Sequence, residues 1–302
     1  MRVLVTGCGG QVGGELARLL AGKCELAAED RASLDLARPE AIRARVRELR
    51  PQLILNPAAY TAVDRAESEP ALARAVNAVA PGVLAEEARR LGALLVHYST
   101  DYVFDGAKPG AYTEEDATGP MGVYGRTKLE GERAVASVGG AHLVLRTTWV
   151  FGPRGRNFLR TMLDLAAKRD EIRVVDDQFG APTSSLALAR ATLAVVGAAD
   201  GAPTAAGLER AAASPGLYHA TATGETSWFG FAAAIFARWA RLAPAGFRAP
   251  RVVPIPTSEY PTPVRRPANS RLSTAKLEGT FGVRLPPWEA GLDEVLAALA
   301  SA

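Results

Sequence analysis

The chain has 302 residues, 48% apolar and 22% charged, the balance of an ordinary globular protein with room for one large domain or two smaller ones. Its 35 basic and 32 acidic residues are interspersed and leave a net charge of +3, with no basic tract of the kind a nucleic-acid surface needs. Cys8 and Cys24 make no disulfide framework, and His97, His142 and His219 are scattered without a metal-ligand pattern and read as structural. No apolar window approaches the ~18 residues a membrane span needs, and the first apolar run is too short for a signal peptide, so a cytoplasmic protein is expected.

Val3-Leu4-Val5 reads as a buried parallel strand running into Thr6-Gly7, followed by an amphipathic helix from Gln11 to Leu20. Between them Gly7, Gly10 and Gly13 form a G-x-x-G-x-x-G turn that includes Gln11 and Val12. Glycine there lets the backbone approach a pyrophosphate, whose charge the helix N-terminus stabilises. Its position after the first strand says more than its spelling. A second strand, Cys24 to Ala28, ends at Glu29-Asp30-Arg31, where Asp30 suits the adenosine ribose hydroxyls and Arg31 suits a 2′-phosphate. NADH and NADPH both stay open. Asp35-Leu36 precede a helix from Pro39, a residue fitted to the first helical turn.

Leu53-Ile54-Leu55 is the third strand, and it carries a small-residue loop, Asn56 to Thr61 with Ala59 and Tyr60, to the end of the sheet where ligands bind. One long amphipathic helix is expected from Ala71 to Leu91, with Asn77 a notable polar position inside it. Ala93 to His97 is the fourth strand, and Tyr98-Ser99-Thr100-Asp101-Tyr102 cluster hydroxyls at its tip. The acid- and glycine-rich stretch 104–119 is expected to lie over the site, with Glu114-Glu115-Asp116 as a solvated turn.

A helix then runs to about Ser137. In it Tyr124 and Lys128 stand four residues apart and share one face. A free tyrosine titrates at about 10, and a nearby ammonium draws that value toward the range useful for proton transfer. Leu143-Val144-Leu145 is the fifth strand and leads to Thr147-Thr148-Trp149. This alternation gives an α/β doubly wound, Rossmann-type parallel sheet, with 1–150 as a dinucleotide-binding domain. Further on the pattern loosens: helices Phe158–Ala167 and Ser185–Val196, a strand Ile172–Val175, and a flexible connection over 198–216. A strand at 217–219, a helix near Trp228 to Arg241, a proline-rich 250–267 and a last helix opened by Pro286-Pro287 complete it. Residues 151–302 are expected to build mainly a smaller substrate lobe, with some segments returning to the core.

Taken together, the glycine turn, the hydroxyl after the fourth strand and the Y-x-x-x-K helix resemble the extended short-chain dehydrogenase/reductases. More narrowly, several blocks resemble the dTDP-4-dehydrorhamnose reductase family. They include Gly10-Gln11-Val12-Gly13, Thr61-Ala62-Val63-Asp64, His97 to Phe104, Val123-Tyr124-Gly125 with Thr127-Lys128-Leu129, Asp177 to Thr183, Tyr260-Pro261-Thr262-Pro263 and Asn269-Ser270-Arg271-Leu272. These blocks span nearly the whole chain.

That resemblance implies reduction of the C4 keto group of dTDP-4-dehydro-L-rhamnose by a nicotinamide hydride, the last step of dTDP-L-rhamnose synthesis for an O-antigen or another glycan. It implies Tyr124 as proton donor, Lys128 on the nicotinamide ribose and Thr100 on the substrate carbonyl. Asp101 and Trp149 match sugar-nucleotide contacts, and Gly10, Gln11, Val12, Asp30, Asp35, Leu36, Ala59, Tyr60 and Thr61 match cofactor contacts. A homodimer and Mg2+ at its interface come with the same resemblance. Pro57, Tyr60 and Leu36 depart from the family's pattern at positions that bear on cofactor preference. Two other readings share these residues: a reductase or epimerase of another nucleotide sugar, and a non-catalytic regulatory subunit of the same fold.

Overall fold

Runs of apolar, largely branched residues flanked by glycine and polar turns form five parallel strands: β1 (Arg2–Thr6), β2 (Glu25–Glu29), β3 (Leu53–Asn56), β4 (Leu94–Thr100) and β5 (His142–Thr147). In the computed structural model, which describes residues 1–198, 201–243 and 246–301, they lie in the order β2-β1-β3-β4-β5. Gly216–His219 pairs with β5 as a sixth parallel strand, Leu217 opposite Val144 and His219 opposite Arg146. Every residue of β3 and β4 is buried, as a strand covered on both faces must be.

Alternation along each strand divides the core. Val3, Val5, Leu53, Leu55 and Val96 join one apolar layer with Leu16 and Leu188 of helices Gln11–Leu20 and Ser185–Val195. Leu4, Ile54 and Leu95 join the other, with Ile42 and Leu84 of helices Pro39–Leu49 and Ala80–Leu91. A third cluster packs Phe151 and Leu159 against Ile172, Phe231, Ile235, Trp288 and Leu292, beside the parallel pair Glu171–Val175 and Arg251–Ile255. The strand order turns back between β1 and β3, and such a switch point opens a crevice at the strands' carboxyl ends.

Five expectations differ from what is observed. The long helix is broken into Pro70–Arg74, a π-helical turn Ala75–Val79 and Ala80–Leu91. Pro81 has no N–H to give the Asn77 carbonyl one turn back, so regular α pairing fails there. Strand β4 runs on through Thr100, three residues further than expected. The stretch 104–119 lines none of the crevice: Phe104 stacks on Tyr112 at 4.1 Å, and Asn269 donates to the carbonyls of Lys108 and Gly110. Glu114 is not simply solvated but accepts from the His219 amide at 2.8 Å. The 198–216 connection contains a helix, Ala205–Ala212, capped by the Thr204 side chain on Gly207 N; residues 199, 200 and 302 lie outside the described part.

The helix that matters most, Val123–Val138, approaches its neighbours more closely than a side chain would permit. A Cβ on Gly125 would stand 2.2 Å from the Tyr102 carbonyl oxygen, and one on Gly131 would stand 2.1 Å from that of Asn77. Glu67 Oε1 accepts from Val123 N at 2.6 Å, placing an anion at the positive helix end. Since the obstacle at Gly131 is backbone, Gly131→Ala is expected to cost about 1–3 kcal/mol. An unchanged urea midpoint in that variant would disprove the close contact.

Candidate active site

A cavity of ≈ 1070 Å3 opens at the switch point, and every site residue named from sequence lines it. The glycine turn and Asp30 to Leu36 form one end, Ala59 to Thr61 a wall, and Thr100, Asp101, Tyr124, Lys128 and Trp149 the other end.

At the first end, Gly7 adopts φ +61°, and a Cβ there would stand 2.9 Å from Ala58. A Cβ on Gly13 would stand 2.2 Å from the Gly7 carbonyl oxygen, so both positions require glycine. Helix Gln11–Leu20 begins there with no side-chain cap, leaving its first amides for an anion. The residues therefore fit a dinucleotide. Asp30 accepts from Ala32 N at 2.8 Å and Ser33 N at 3.0 Å through one carboxylate oxygen, which shapes the turn presenting Arg31. Asp35 likewise accepts from Ala37 N. Leu36 is buried against the sheet. Gln11 ties the glycine turn to the second half of the chain, contacting the Val150 carbonyl and accepting from Asn157 Nδ2 at 3.0 Å. Tyr60 is held at both ends of its peptide by Asn77, while its hydroxyl donates to Glu69 at 2.5 Å.

Lys128 is 2% exposed. Its ammonium donates to the Tyr98 carbonyl at 2.5 Å and faces His97 Nε2 at 3.3 Å. Desolvation lowers it from 10.5 to about 8, partly offset by the charge of Glu132. Glu132 is itself buried, clasped by Arg146 at 2.6 and 2.9 Å and by the Ser99 hydroxyl. Tyr124 is half-buried and packs edge-on against Tyr102 at 5.5 Å. Here the expected lowering by Lys128 is absent: burial pushes the phenol above its ordinary value, Thr100 draws it back, and Asp101 and Tyr102 add to the rise. The reason is geometric, since the lysine's charge is turned toward β4.

The Thr100 hydroxyl donates to Asp101 Oδ1 at 3.0 Å and accepts from Tyr102 N. Asp101 is buried, and desolvation raises it to about 6. Among the described residues its second oxygen and the hydroxyls of Thr147 and Thr148 beside it make no hydrogen bond of ordinary geometry, although the Ser270 and Thr148 hydroxyls lie near enough to favour the charged carboxylate. Three unpaired polar atoms on one cavity wall suit a ligand rich in hydroxyls.

Trp149 sits at φ +46°, a strained conformation for a bulky residue. Its ring stacks on Trp228 at 3.6 Å and 13°, and Gly180 is required because a Cβ there would come within 2.8 Å of the indole. Trp228, Gly155 and Arg156 also line the cavity and were missed from sequence. Only tertiary packing joins positions 149 and 228. The ring of His97 was passed over as well, although it touches the lysine. Among the described residues, no group of three or more His, Cys, Asp or Glu could hold a metal.

Over residues 1–301 the chain matches the family described as RmlD substrate binding domain. It is 52% identical over 292 residues to a dTDP-4-dehydrorhamnose reductase of Burkholderia thailandensis, covering 95% of each chain. Among solved structures, the dTDP-4-dehydrorhamnose reductase of Clostridium acetobutylicum superposes with a TM-score of 0.88 at 38% identity, over 99% of both chains. That of Bacillus anthracis, solved in complex with NADP, superposes with a TM-score of 0.86 at 33% identity, over 98% of this chain and 99% of its own.

The lysine's depressed value has a consequence for stability. In the unfolded chain Lys128 titrates near 10.5 and in the folded chain near 8. The charged form therefore opposes folding fully below pH 8, and the opposition fades as pH rises to 10.5. The stability of Lys128→Met relative to wild type should accordingly fall by about 3 kcal/mol across that interval. Urea unfolding at several pH values measures it, and a constant difference would show that the lysine is not so perturbed.

Proposed function

This chain belongs to the dTDP-4-dehydrorhamnose reductase family, and we propose that it reduces the C4 keto group of dTDP-4-dehydro-L-rhamnose to dTDP-L-rhamnose using NADH or NADPH. The observation that carries the reading is the meeting, in one cavity, of a dinucleotide-shaped glycine turn with Tyr124, Lys128 and Thr100. In it, 1–150 is the dinucleotide-binding part, and the substrate lobe comes mainly from 151–302. The same reading places a homodimer in the cytoplasm; among the described residues no helix is long and apolar enough to cross a membrane.

The bound nicotinamide would supply the hydride. What the chain must provide is a proton, held in place until negative charge develops on the C4 oxygen. Tyr124 suits this because its raised value keeps the phenol protonated at rest. An alkoxide is a far stronger base than a phenolate, so transfer is downhill once the oxygen is within hydrogen-bond reach, ~3 Å. Lys128, a turn away with its ammonium held at the Tyr98 carbonyl, offers a remaining N–H to the cofactor ribose. The Thr100 hydroxyl must turn from Asp101 toward the substrate oxygen, which leaves both Asp101 oxygens available to sugar hydroxyls. The Trp149 indole forms an apolar wall for the deoxysugar or its base.

Purified protein mixed with dTDP-4-dehydro-L-rhamnose should oxidise NADH, NADPH or both, followed by loss of nicotinamide absorbance. No turnover with either would sink the reading. Tyr124→Phe is expected to lose at least ~100-fold in kcat while still binding the sugar nucleotide. Near-normal turnover in that variant would remove the proton-donor role.

A further inference from the structure

His97 has no part in the chemistry described so far, yet it is wholly buried beneath the lysine. Nε2 lies 3.3 Å from Lys128 Nζ, and Nδ1 lies 3.0 Å from Asn56 Nδ2, with the Asn56 backbone also beside the ring. Asn56 Oδ1 in turn accepts from Thr6 Oγ1 at 2.6 Å. Side chains from β1, β3, β4 and the helix Val123–Val138 thus form one buried row that ends on the catalytic ammonium.

The chemistry of the row limits which way its hydrogen bonds can run. Burial and the Lys128 charge hold His97 well below its ordinary value, so the ring is neutral, with one N–H and one lone pair. A protonated lysine can only donate, so Nε2 must then accept, and Nδ1–H must donate to the Asn56 oxygen. In the arrangement drawn, Asn56 turns its nitrogen to the ring. Nε2 then carries the hydrogen and faces a neutral amine. The two ends of an amide are nearly identical in shape, so a flip of Asn56 reverses the whole row without disturbing the packing.

We propose that His97 is a positioning residue for the reduction, its Nε2 holding Lys128 Nζ at the cavity wall by accepting from the ammonium and, after the Asn56 flip, donating to the amine. The proposal rests on the reductase reading only in giving Lys128 a catalytic duty. Other groups facing the lysine are the Tyr98 carbonyl from β4 and Glu132 on its own helix, the latter neutralised by Arg146 of β5. On the far side of His97, β1 and β3 contribute only the uncharged Thr6 and Asn56. Without Nε2 the ammonium loses an acceptor, and the alkaline limb of kcat moves to lower pH.

Two amide substitutions separate this role from plain packing. Glutamine can place its terminal amide near Nε2 and so keep the lysine contact, whereas asparagine keeps only the Asn56 contact near Nδ1. His97→Gln is expected to stay within about threefold of wild-type kcat with its alkaline limb in place, whereas His97→Asn loses about tenfold and shifts that limb down by about half a pH unit. An asparagine variant as active as the glutamine one, or an unmoved limb in both, overturns the proposal. Wild-type protein gives a second measurement that does not depend on either variant folding. Nitrogen NMR of labelled histidine should show the His97 hydrogen passing from Nδ1 to Nε2 as pH rises through the lysine's titration near 8. A tautomer fixed across that range overturns the proposal as well. Wild-type turnover, recorded in the same assay, tests the reductase reading separately, so the two can fail independently.

Discussion

Everything at this site depends on keeping one ammonium group away from water. Lys128 is buried where a charge is expensive, and the surrounding fold offsets that cost piece by piece. A strand carbonyl takes one N–H, an imidazole nitrogen lies 3.3 Å away, and a carboxylate one helical turn further on supplies the balancing charge. That carboxylate would itself be an unpaired buried anion without Arg146 and Ser99. The chain of compensation therefore runs from the site helix to β4 and β5 and leaves little freedom in any of them.

The same economy of space governs how the helix is seated. Gly125 and Gly131 let it press against the carbonyls of Tyr102 and Asn77, and Asn77 grips both Tyr60 and Thr127 from the π-helical turn that Pro81 creates. The Tyr60 wall of the cavity and the helix carrying Tyr124 and Lys128 are thereby fastened to a single side chain. Asn77 is polar and fully buried because each of its hydrogen-bonding groups has a partner there.

Much of this could be read from the chain itself. Strand and helix alternation, the glycine turn after β1 and the four-residue spacing of Tyr124 and Lys128 are short-range patterns, and short-range geometry preserves them on folding. What could not be read is where tertiary contacts decide. The direction of the Lys128 ammonium is set by β4, so the expected depression of the tyrosine gave way to a rise driven by burial. The break at 75–79 follows from one missing N–H whose effect a periodicity count cannot register. Loop 104–119 looked like a cover but is drawn to the 269–272 segment by Asn269 and Arg271. Trp228 joins Trp149 across a gap in sequence that no local pattern bridges.

The sixth strand has a bearing on how the molecule could ever be divided. Gly216–His219 is contributed by the second half of the chain, yet its hydrogen bonds complete the sheet of the first. A fragment ending near residue 150 would leave β5 with its amides and carbonyls bare along a row of apolar residues, a template for intermolecular pairing. The halves therefore cannot be exchanged as independent modules: any replacement for the second half must bring with it a strand that seals the sheet of the first.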